Sequence, residues 1–289
     1  MNAESDNKLF CFGLGYSATR LAKRLLTDGW AVSGTCREQA HAAELRSRGI
    51  DVQVFDREHT KLNPSALAGT THLLSSVPPD DKGDAVLDCF ATELRTIAPS
   101  LKWTGYLSTT GVYGNRNGAT VTENDALNPV SDRSRRRAGA EGRWLAMGAH
   151  IFRLAGIYGP GRSVIEDIHD EKARCIDKPG HKFSRIHVDD IANVLMASMN
   201  KPAPGSIYNV ADDEAAAPAD VITYTCELMG VPTPPLVPFA EAEAEMSLMQ
   251  RSFWADNKRV DNSRIKNELG VELAWPTYRE GLRALVQDL

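Results

Sequence analysis

KLFCFGLGYSATRLAK, residues Lys8–Lys23, opens on an apolar run from Leu9 to Phe12 and passes at once into Gly13, Gly15 and Ala18. Beyond them Leu21, Ala22, Leu25 and Leu26 recur at helical spacing, so the stretch is predicted to be a strand, a tight turn and a helix. In such a unit the first glycine permits the turn, the second lets a pyrophosphate approach the backbone, and the small third residue lets helix and strand pack closely. The bend made by Gly13, Leu14, Gly15, Tyr16, Ser17 and Ala18 is therefore a candidate cofactor-binding turn, with phosphates at the positive helix N-terminus. GxGxxA alone is weak evidence, because glycines are common where strands turn into helices. The neighbouring segments have to carry the argument.

Ala31–Cys36 is a short apolar and β-branched run that ends at Arg37. Dinucleotide folds place their second strand here, and its terminal residue meets the adenosine ribose. An acid at that point would accept from a free 2′-hydroxyl, whereas Arg37 offers a fork of donors suited to a 2′-phosphate, which points to NADP over NAD. The plainer alternative is a solvated arginine opening a helix over Gln39–Ser47. Asp51–Asp56 reads as a third strand, ending at an acid, Asp56, that could reach an adenine. Thr71–Val77 reads as a fourth, and its SSVPP ending brings Ser76 and Val77 near the expected phosphates. Strands alternating with helices in this way imply a parallel sheet.

Asp84–Ile97 carries Leu87, Phe90, Ala91, Leu94 and Ile97 on one face and reads as one crossover helix. Trp103–Thr110 reads as the fifth strand and delivers Ser108, Thr109 and Thr110 to its carboxyl end, where open α/β sheets hold ligands. Those hydroxyls suit either ligand contacts or caps. Gly114–Asn128 reads as a surface loop, and Ser131 or Asp132 can cap a helix that runs to about Ala146. At about 100° per residue, Arg133, Arg137, Ala140 and Trp144 share a stripe and Arg135 points away. Arginines turned inward need partners, which suggests anion or ribose ligands; a solvated charge run is the alternative. His150–Tyr158 reads as a sixth strand, Val188–Met199 as a helix and Ser206–Val210 as a further strand. Val231–Pro238, with four prolines, reads as a linker or wrapped loop, Glu241–Met249 as an acidic helix, and Thr277–Leu289 as an amphipathic tail helix.

The chain of 289 residues is long enough for one large domain, or for a main domain with a smaller lobe. Its 42% apolar and 25% charged residues are those of an ordinary globular protein. A net charge of -5 argues against an extended nucleic-acid surface and leaves room for a local basic pocket. MNAESDNK has no apolar core of a signal peptide, and no later segment approaches eighteen uninterrupted apolar residues, so a cytoplasmic protein without a membrane span is expected. Cys11, Cys36, Cys89, Cys175 and Cys226 are widely spaced and never CxxC, which favours reduced thiols over a disulfide framework or a zinc site. GYSAT at Gly15–Thr19 lacks the second glycine of a nucleophile elbow, which removes a hydrolase reading.

CFGLGYSA at Cys11–Ala18, YLSTTGVYG at Tyr106–Gly114, FRLAGIYGPGR at Phe152–Arg162, RIHVDDIA at Arg185–Ala192, YNVADDE at Tyr208–Glu214 and NKRVDNSRIKNELG at Asn257–Gly270 follow one another over nearly the whole chain. As a set and in this order they resemble the extended short-chain dehydrogenase/reductase family, and within it an atypical, epimerase/dehydratase-like branch. The resemblance implies an α/β fold: a Rossmann doubly wound parallel sheet that binds NADP, with a smaller C-terminal α/β substrate lobe. The NADP-binding domain would span 1–158, completed by about 183–212, and the lobe 159–182 and 213–289.

The resemblance also implies roles. Thr109, three residues before Val112, stands where the family keeps a catalytic Ser or Thr that bonds the substrate oxygen. The family's YxxxKxxxE helix falls on Arg133, Arg137 and Glu141, so both catalytic side chains are replaced. In the family the Tyr passes a proton, while the Lys holds the nicotinamide ribose and lowers the Tyr pKa. A guanidinium cannot give up its proton, which leaves Arg133 the electrostatic stabilisation of a developing alkoxide and Arg137 a bond to a ribose hydroxyl. Tyr113, Tyr158 and Asp88 remain as proton donors, Asp88 standing loosely where the family has a helical Asn. His181 and His187 do not read as a metal site; His187 caps or opens the next helix, and Asp189 and Asp190 belong to a strand-to-helix junction that holds the fold. The expected partner is a small-molecule substrate of the sugar-nucleotide kind or another carbonyl compound. A homodimer would pair the Asp84–Ile97 and Arg133–Ala146 helices. The function expected is that of an NADP-dependent oxidoreductase or sugar-nucleotide epimerase/dehydratase; the alternative is an NADP-binding sensor that lost catalysis with its Tyr and Lys.

Overall fold

Leu9, Phe10, Cys11 and Phe12 are all buried, on both faces of their strand, β1 (Lys8–Phe12), which has a parallel neighbour on each side. A strand covered on both faces reads as continuous apolar sequence, not as alternation. The computed structural model describes residues 7–60, 62–63 and 65–289; Met1–Asp6, part of the stretch read above for a targeting signal, lie outside them.

After β1 come α1 (Tyr16–Thr27), β2 (Ala31–Cys36), α2 (Gln39–Ser47), β3 (Asp51–Val54), β4 (His72–Ser75), α3 (Ala85–Cys89), α4 (Ala91–Ile97) and β5 (Trp103–Thr109). The middle of the chain forms β6 (Thr120–Val121), α5 (Asp132–Leu145), β7 (His150–Leu154), β8 (Gly156–Tyr158), α6 (Val164–His169), β9 (Ile176–Asp177), β10 (Arg185–His187), α7 (Val188–Asn200) and β11 (Ile207–Val210). The remainder adds α8 (Pro218–Met229), β12 (Val237–Pro238), α9 (Phe239–Glu245), α10 (Leu248–Ala255), β13 (Arg259–Val260), α11 (Ser263–Asn267) and α12 (Tyr278–Gln287).

Seven strands form one sheet in the order β11-β7-β5-β4-β1-β2-β3. From β1 the chain runs outward through β2 and β3, then returns to β4 on the other side of β1 and runs outward again. This is a doubly wound sheet, and chain order reverses between β1 and β4. The chain divides into two compact units. The first is Met1–Thr109, Arg135–Arg153 and Ile191–Tyr208; its core joins Phe10, Phe12, Phe55, Phe90, Tyr106 and Trp144. The second is Thr110–Ser134, Leu154–Asp190 and Asn209–Leu289. Three short parallel pairs, β8 with β10, β9 with β12 and β6 with β13, lie in it.

Four segments differ from their sequence-based expectation, and a fifth, Val231–Pro238, ends in the short strand β12. Asp84–Ile97 is two helices, broken at Phe90 (φ -123°, ψ 21°), whose ring sits 5.2 Å from that of Phe12 and 5.1 Å from that of Phe55. Seating the ring in the aromatic core outweighs one turn of helix. His150–Tyr158 is two strands, since β7 joins the large sheet and β8 pairs with β10. Gly114–Asn128 holds the short strand β6, and Glu241–Met249 is interrupted before Ser247, which caps α10 by accepting from Gln250 N at 3.2 Å. Two-residue strands and single-turn breaks leave no periodic trace in sequence. Among the described residues no helix is long and apolar enough to cross a membrane, and all five cysteines are free.

Candidate functional site

Open α/β sheets hold ligands at the carboxyl ends of the strands where chain order reverses. Here a cleft of about 740 Å³ lies at that place, between the turns that follow β1, β2, β3 and β4. Gly13, Leu14 and Gly15 line it from β1, Cys36, Arg37, Glu38 and His41 from β2 and α2, Phe55, Asp56 and Arg57 from β3, and Ser76, Val77 and Asp80 from the segment after β4.

The glycine turn is held from both sides. Gly13 N donates to Thr35 Oγ1 at 3.0 Å and Leu14 N to the Thr35 carbonyl at 2.6 Å, while the Ser76 hydroxyl donates to the Gly13 carbonyl. Gly13 has φ +86°, and a Cβ there would stand 3.0 Å from both Ser76 Oγ and Val77 Cγ2. Gly15 precedes α1 in extended backbone (φ -87°), and a Cβ there would meet nothing within 4 Å. Gly15, the residue before α1, has no side chain with which to cap it, and the first turn holds no acid. A helix N-terminus presents a positive dipole end, so an anion is favoured there. Ser17 and Ala18 are buried under the helix, and neither they nor Tyr16 line the cleft.

The two arginines of the cleft differ. Arg57 is paired with Asp80 and Asp88, and Asp88 also takes Arg143 Nη1 at 2.8 Å. Arg37 is exposed and makes no hydrogen bond or ion pair among the described residues. Asp56 accepts from His59 N at 2.7 Å and Glu58 N at 2.8 Å; the His59 amide first, against a small opposing desolvation, holds its carboxyl below the usual range. His41, Glu38, Arg57 and Asp80 were not singled out in the sequence. His41 could have been found from its place on the helix after Arg37, and its Nε2 lies 2.9 Å from the Leu14 carbonyl oxygen.

Thr109 and Arg137 do not line this cleft. Thr109 is half-buried at the end of β5. Arg137 is buried, and its Nη1 donates to the Leu107 carbonyl at 2.7 Å and the Tyr106 hydroxyl at 3.3 Å. Arg133 is exposed, against the expectation of an inward guanidinium. The stripe that is buried on α5 holds Arg137, Ala140, Glu141 and Trp144. Helical phase tells which side a residue faces, not whether anything stands there. Glu141 is buried against Arg153 Nη2 at 2.8 Å and accepts from the Ser108 hydroxyl, tying α5 to β5 and β7.

No protein-family profile matches the chain. Protein YeeZ of Escherichia coli K12 is 29% identical over 286 residues, covering 93% of this chain and 96% of that protein. The dTDP-glucose 4,6-dehydratase of Bacillus anthracis, solved in complex with NAD, is 16% identical, with a TM-score of 0.76 over 97% of this chain and 96% of that one. A solved, functionally unknown conserved protein from Silicibacter pomeroyi DSS is 47% identical, with a TM-score of 0.91 over 98% of this chain and 99% of that one. The two chains belong to one family, and its fold is that of the epimerase/dehydratase-like short-chain dehydrogenase/reductases.

The side chains weighed as substitute proton donors in this short-chain dehydrogenase/reductase fold are all engaged. Tyr113 is buried and donates to Asn209 Oδ1 at 2.7 Å. Tyr158 is buried, donates to the Thr277 carbonyl at 3.4 Å, and has its hydroxyl pKa pushed up, first by burial and then by Asp212. Asp88 feels a raising effect of partial burial that is outweighed by Arg57 and Arg143, which leaves it below the ordinary carboxyl value. His187 Nδ1 accepts from Asp189 N at 3.2 Å, and Asp190 accepts from Ala274 N and Trp275 N at 2.8 and 2.9 Å, so these residues hold a junction together. Among the described residues no group of three or more His, Cys, Asp or Glu side chains could hold a metal ion.

Proposed function

We propose that the chain binds NADP across the cleft between β1 and β4 and works as an oxidoreductase or sugar-nucleotide epimerase/dehydratase without the usual Tyr–Lys pair. The observation that carries this is the contrast between the cleft's arginines: Arg57 is already paired with Asp80 and Asp88, whereas the Arg37 guanidinium, just past β2, has no partner among the described residues. A 2′-phosphate would supply that partner. The N-terminus of α1, without an acid in its first turn, and the open side of Gly15 support a pyrophosphate at the turn. The NAD complex of the Bacillus anthracis dehydratase supports a nicotinamide dinucleotide as the ligand class. When bound, such a cofactor supplies a carbon that gives or takes a hydride. In this proposal Asp56 reaches the adenine, Thr109 bonds the substrate oxygen, and Arg137 orders β5 beside Thr109.

A second reading, an NADP-binding sensor without turnover, is favoured by one set of observations. Arg137 is spent on Leu107 and Tyr106, and Tyr113, Tyr158 and Asp88 are each bonded elsewhere. NADPH oxidation is to be followed across a panel of carbonyl compounds and sugar nucleotides, with wild type and with Arg133→Tyr plus Arg137→Lys. Wild-type turnover removes the sensor. An inert wild type that gains activity only in the double variant removes the enzyme.

A further inference from the structure

Leu14, between the two glycines of the turn, has both of its backbone groups clamped. Its N–H donates to the Thr35 carbonyl at 2.6 Å. Its carbonyl accepts from His41 Nε2 at 2.9 Å and from the Thr19 hydroxyl at 3.2 Å. A carbonyl oxygen only accepts, so the hydrogen of that His41 bond lies on Nε2. Nδ1 turns the other way, to 3.3 Å from Glu44 Oε2. His41 is the third residue of α2 and lines the cleft. The helix is itself anchored: Ala42 and Leu45 are buried, and Arg46 Nε donates to the Val52 carbonyl of β3 at 2.9 Å. The imidazole is therefore a strut from a fixed helix to the backbone of the glycine turn. Thr19 ties the same oxygen to α1, the helix that the turn leads into.

We propose that His41 is a positioning residue for the diphosphate of the cofactor, keeping the Leu14 carbonyl turned towards α2 and out of the space that a diphosphate takes. This role presupposes the dinucleotide reading of the cleft and adds to Arg37 a residue that acts through the backbone. Anions at such a turn are stabilised by N–H groups and opposed by carbonyl oxygens. Without His41 the oxygen is left to Thr19, and the turn loses its tie to α2. The loss falls on the diphosphate. A 2′-phosphate meets the Arg37 side chain, which precedes α2 and does not depend on the Leu14 peptide.

The test is a calorimetric titration of the full chain with two partial cofactors: ADP-ribose, which has the diphosphate and no 2′-phosphate, and adenosine 2′-monophosphate, which has the reverse. His41→Phe keeps an aromatic ring on α2 and removes the N–H. It lowers ADP-ribose affinity about three- to tenfold, the loss of one hydrogen bond, and leaves adenosine 2′-monophosphate within about twofold of wild type. His41→Gln, whose side-chain amide can donate to the same oxygen, returns ADP-ribose affinity to within about twofold of wild type. Arg37→Gln, by contrast, weakens adenosine 2′-monophosphate. An ADP-ribose affinity unchanged by His41→Phe, equal losses of both ligands, or no recovery in His41→Gln overturns the role of His41 and leaves the dinucleotide reading standing. A wild type that binds neither ligand overturns both.

Discussion

The Ser76 hydroxyl, just past β4, donates to the carbonyl of Gly13, just past β1, and so links the ends of the two strands between which chain order reverses. The link needs Gly13 in its left-handed conformation with no side chain facing Ser76. Gly13→Ala therefore meets both backbone strain and a 3.0 Å contact on two sides, and is expected to cost about 1–3 kcal/mol in urea unfolding and to abolish NADPH binding. Gly15→Ala, in ordinary backbone with open space around it, is expected to shift stability by under about 0.5 kcal/mol while weakening NADPH, because the methyl occupies the side from which a pyrophosphate approaches. Equal effects of the two substitutions on stability would contradict this assignment.

Arg37 is expected to choose between the two nicotinamide dinucleotides. Arg37→Gln should lower NADPH affinity by about 10- to 100-fold, the loss of a charge-assisted fork, and leave NADH affinity within about twofold. The melting temperature should not move, since Arg37 is exposed and bonds no described residue. Parallel loss of both cofactors would show that Arg37 does not meet the 2′-phosphate.

Glu141 and Arg153 form an ion pair with side chains 2% and 3% exposed. Removing one partner leaves a buried charge, so Glu141→Gln is expected to destabilise by about 3–5 kcal/mol in urea unfolding. Replacing both with apolar residues of similar volume should cost less than Glu141→Gln alone. A double variant as unstable as the sum of the singles would show no coupling between them.

Most of the first unit was legible because its signals are local. β1 is continuous apolar sequence, Leu21 and Leu25 recur at one helical spacing, and Arg37 sits where a second strand must end. What escaped is what distant segments make together. Arg57 finds Asp80 across 23 positions, and nothing in either neighbourhood announces the pair. Gly34 looks unremarkable in AVSGTC, yet a Cβ there would stand 2.2 Å from the Cys11 carbonyl oxygen, because β2 and β1 approach closely just before the cofactor turn. Arg133 and Arg137 have the same helical phase and opposite fates, one exposed and one bonded to β5, which phase alone cannot distinguish.

Stability should peak near pH 6.5. Burial first, with help from Lys102 at His72 and from Lys178 and Lys258 at His181, pushes both imidazoles from 6.5 down to about 4. Between about pH 4 and 6.5 the unfolded chain therefore holds two protons that the folded chain does not, and stability rises with pH. Burial pushes Asp212 from 3.8 up to about 8, so over that span the folded chain holds one proton more, and stability falls with pH. The histidines outweigh Asp212 below 6.5, with His150, its pKa also lowered by burial, adding to them, and the Asp212 contribution is the one that declines above it. Urea midpoints at pH 5, 6.5 and 8 check the shape. Asp212→Asn should keep the acid limb and remove the decline between pH 6.5 and 8.

The most direct measurement is a calorimetric titration of the wild-type chain with NADPH and, separately, with NADH. A diphosphate over the Gly13–Ala18 turn with a 2′-phosphate on Arg37 predicts micromolar NADPH binding that is at least about tenfold tighter than NADH binding, accompanied by a rise in melting temperature. No heat and no melting shift with either dinucleotide would contradict the account and leave the Rossmann sheet without the ligand proposed for it.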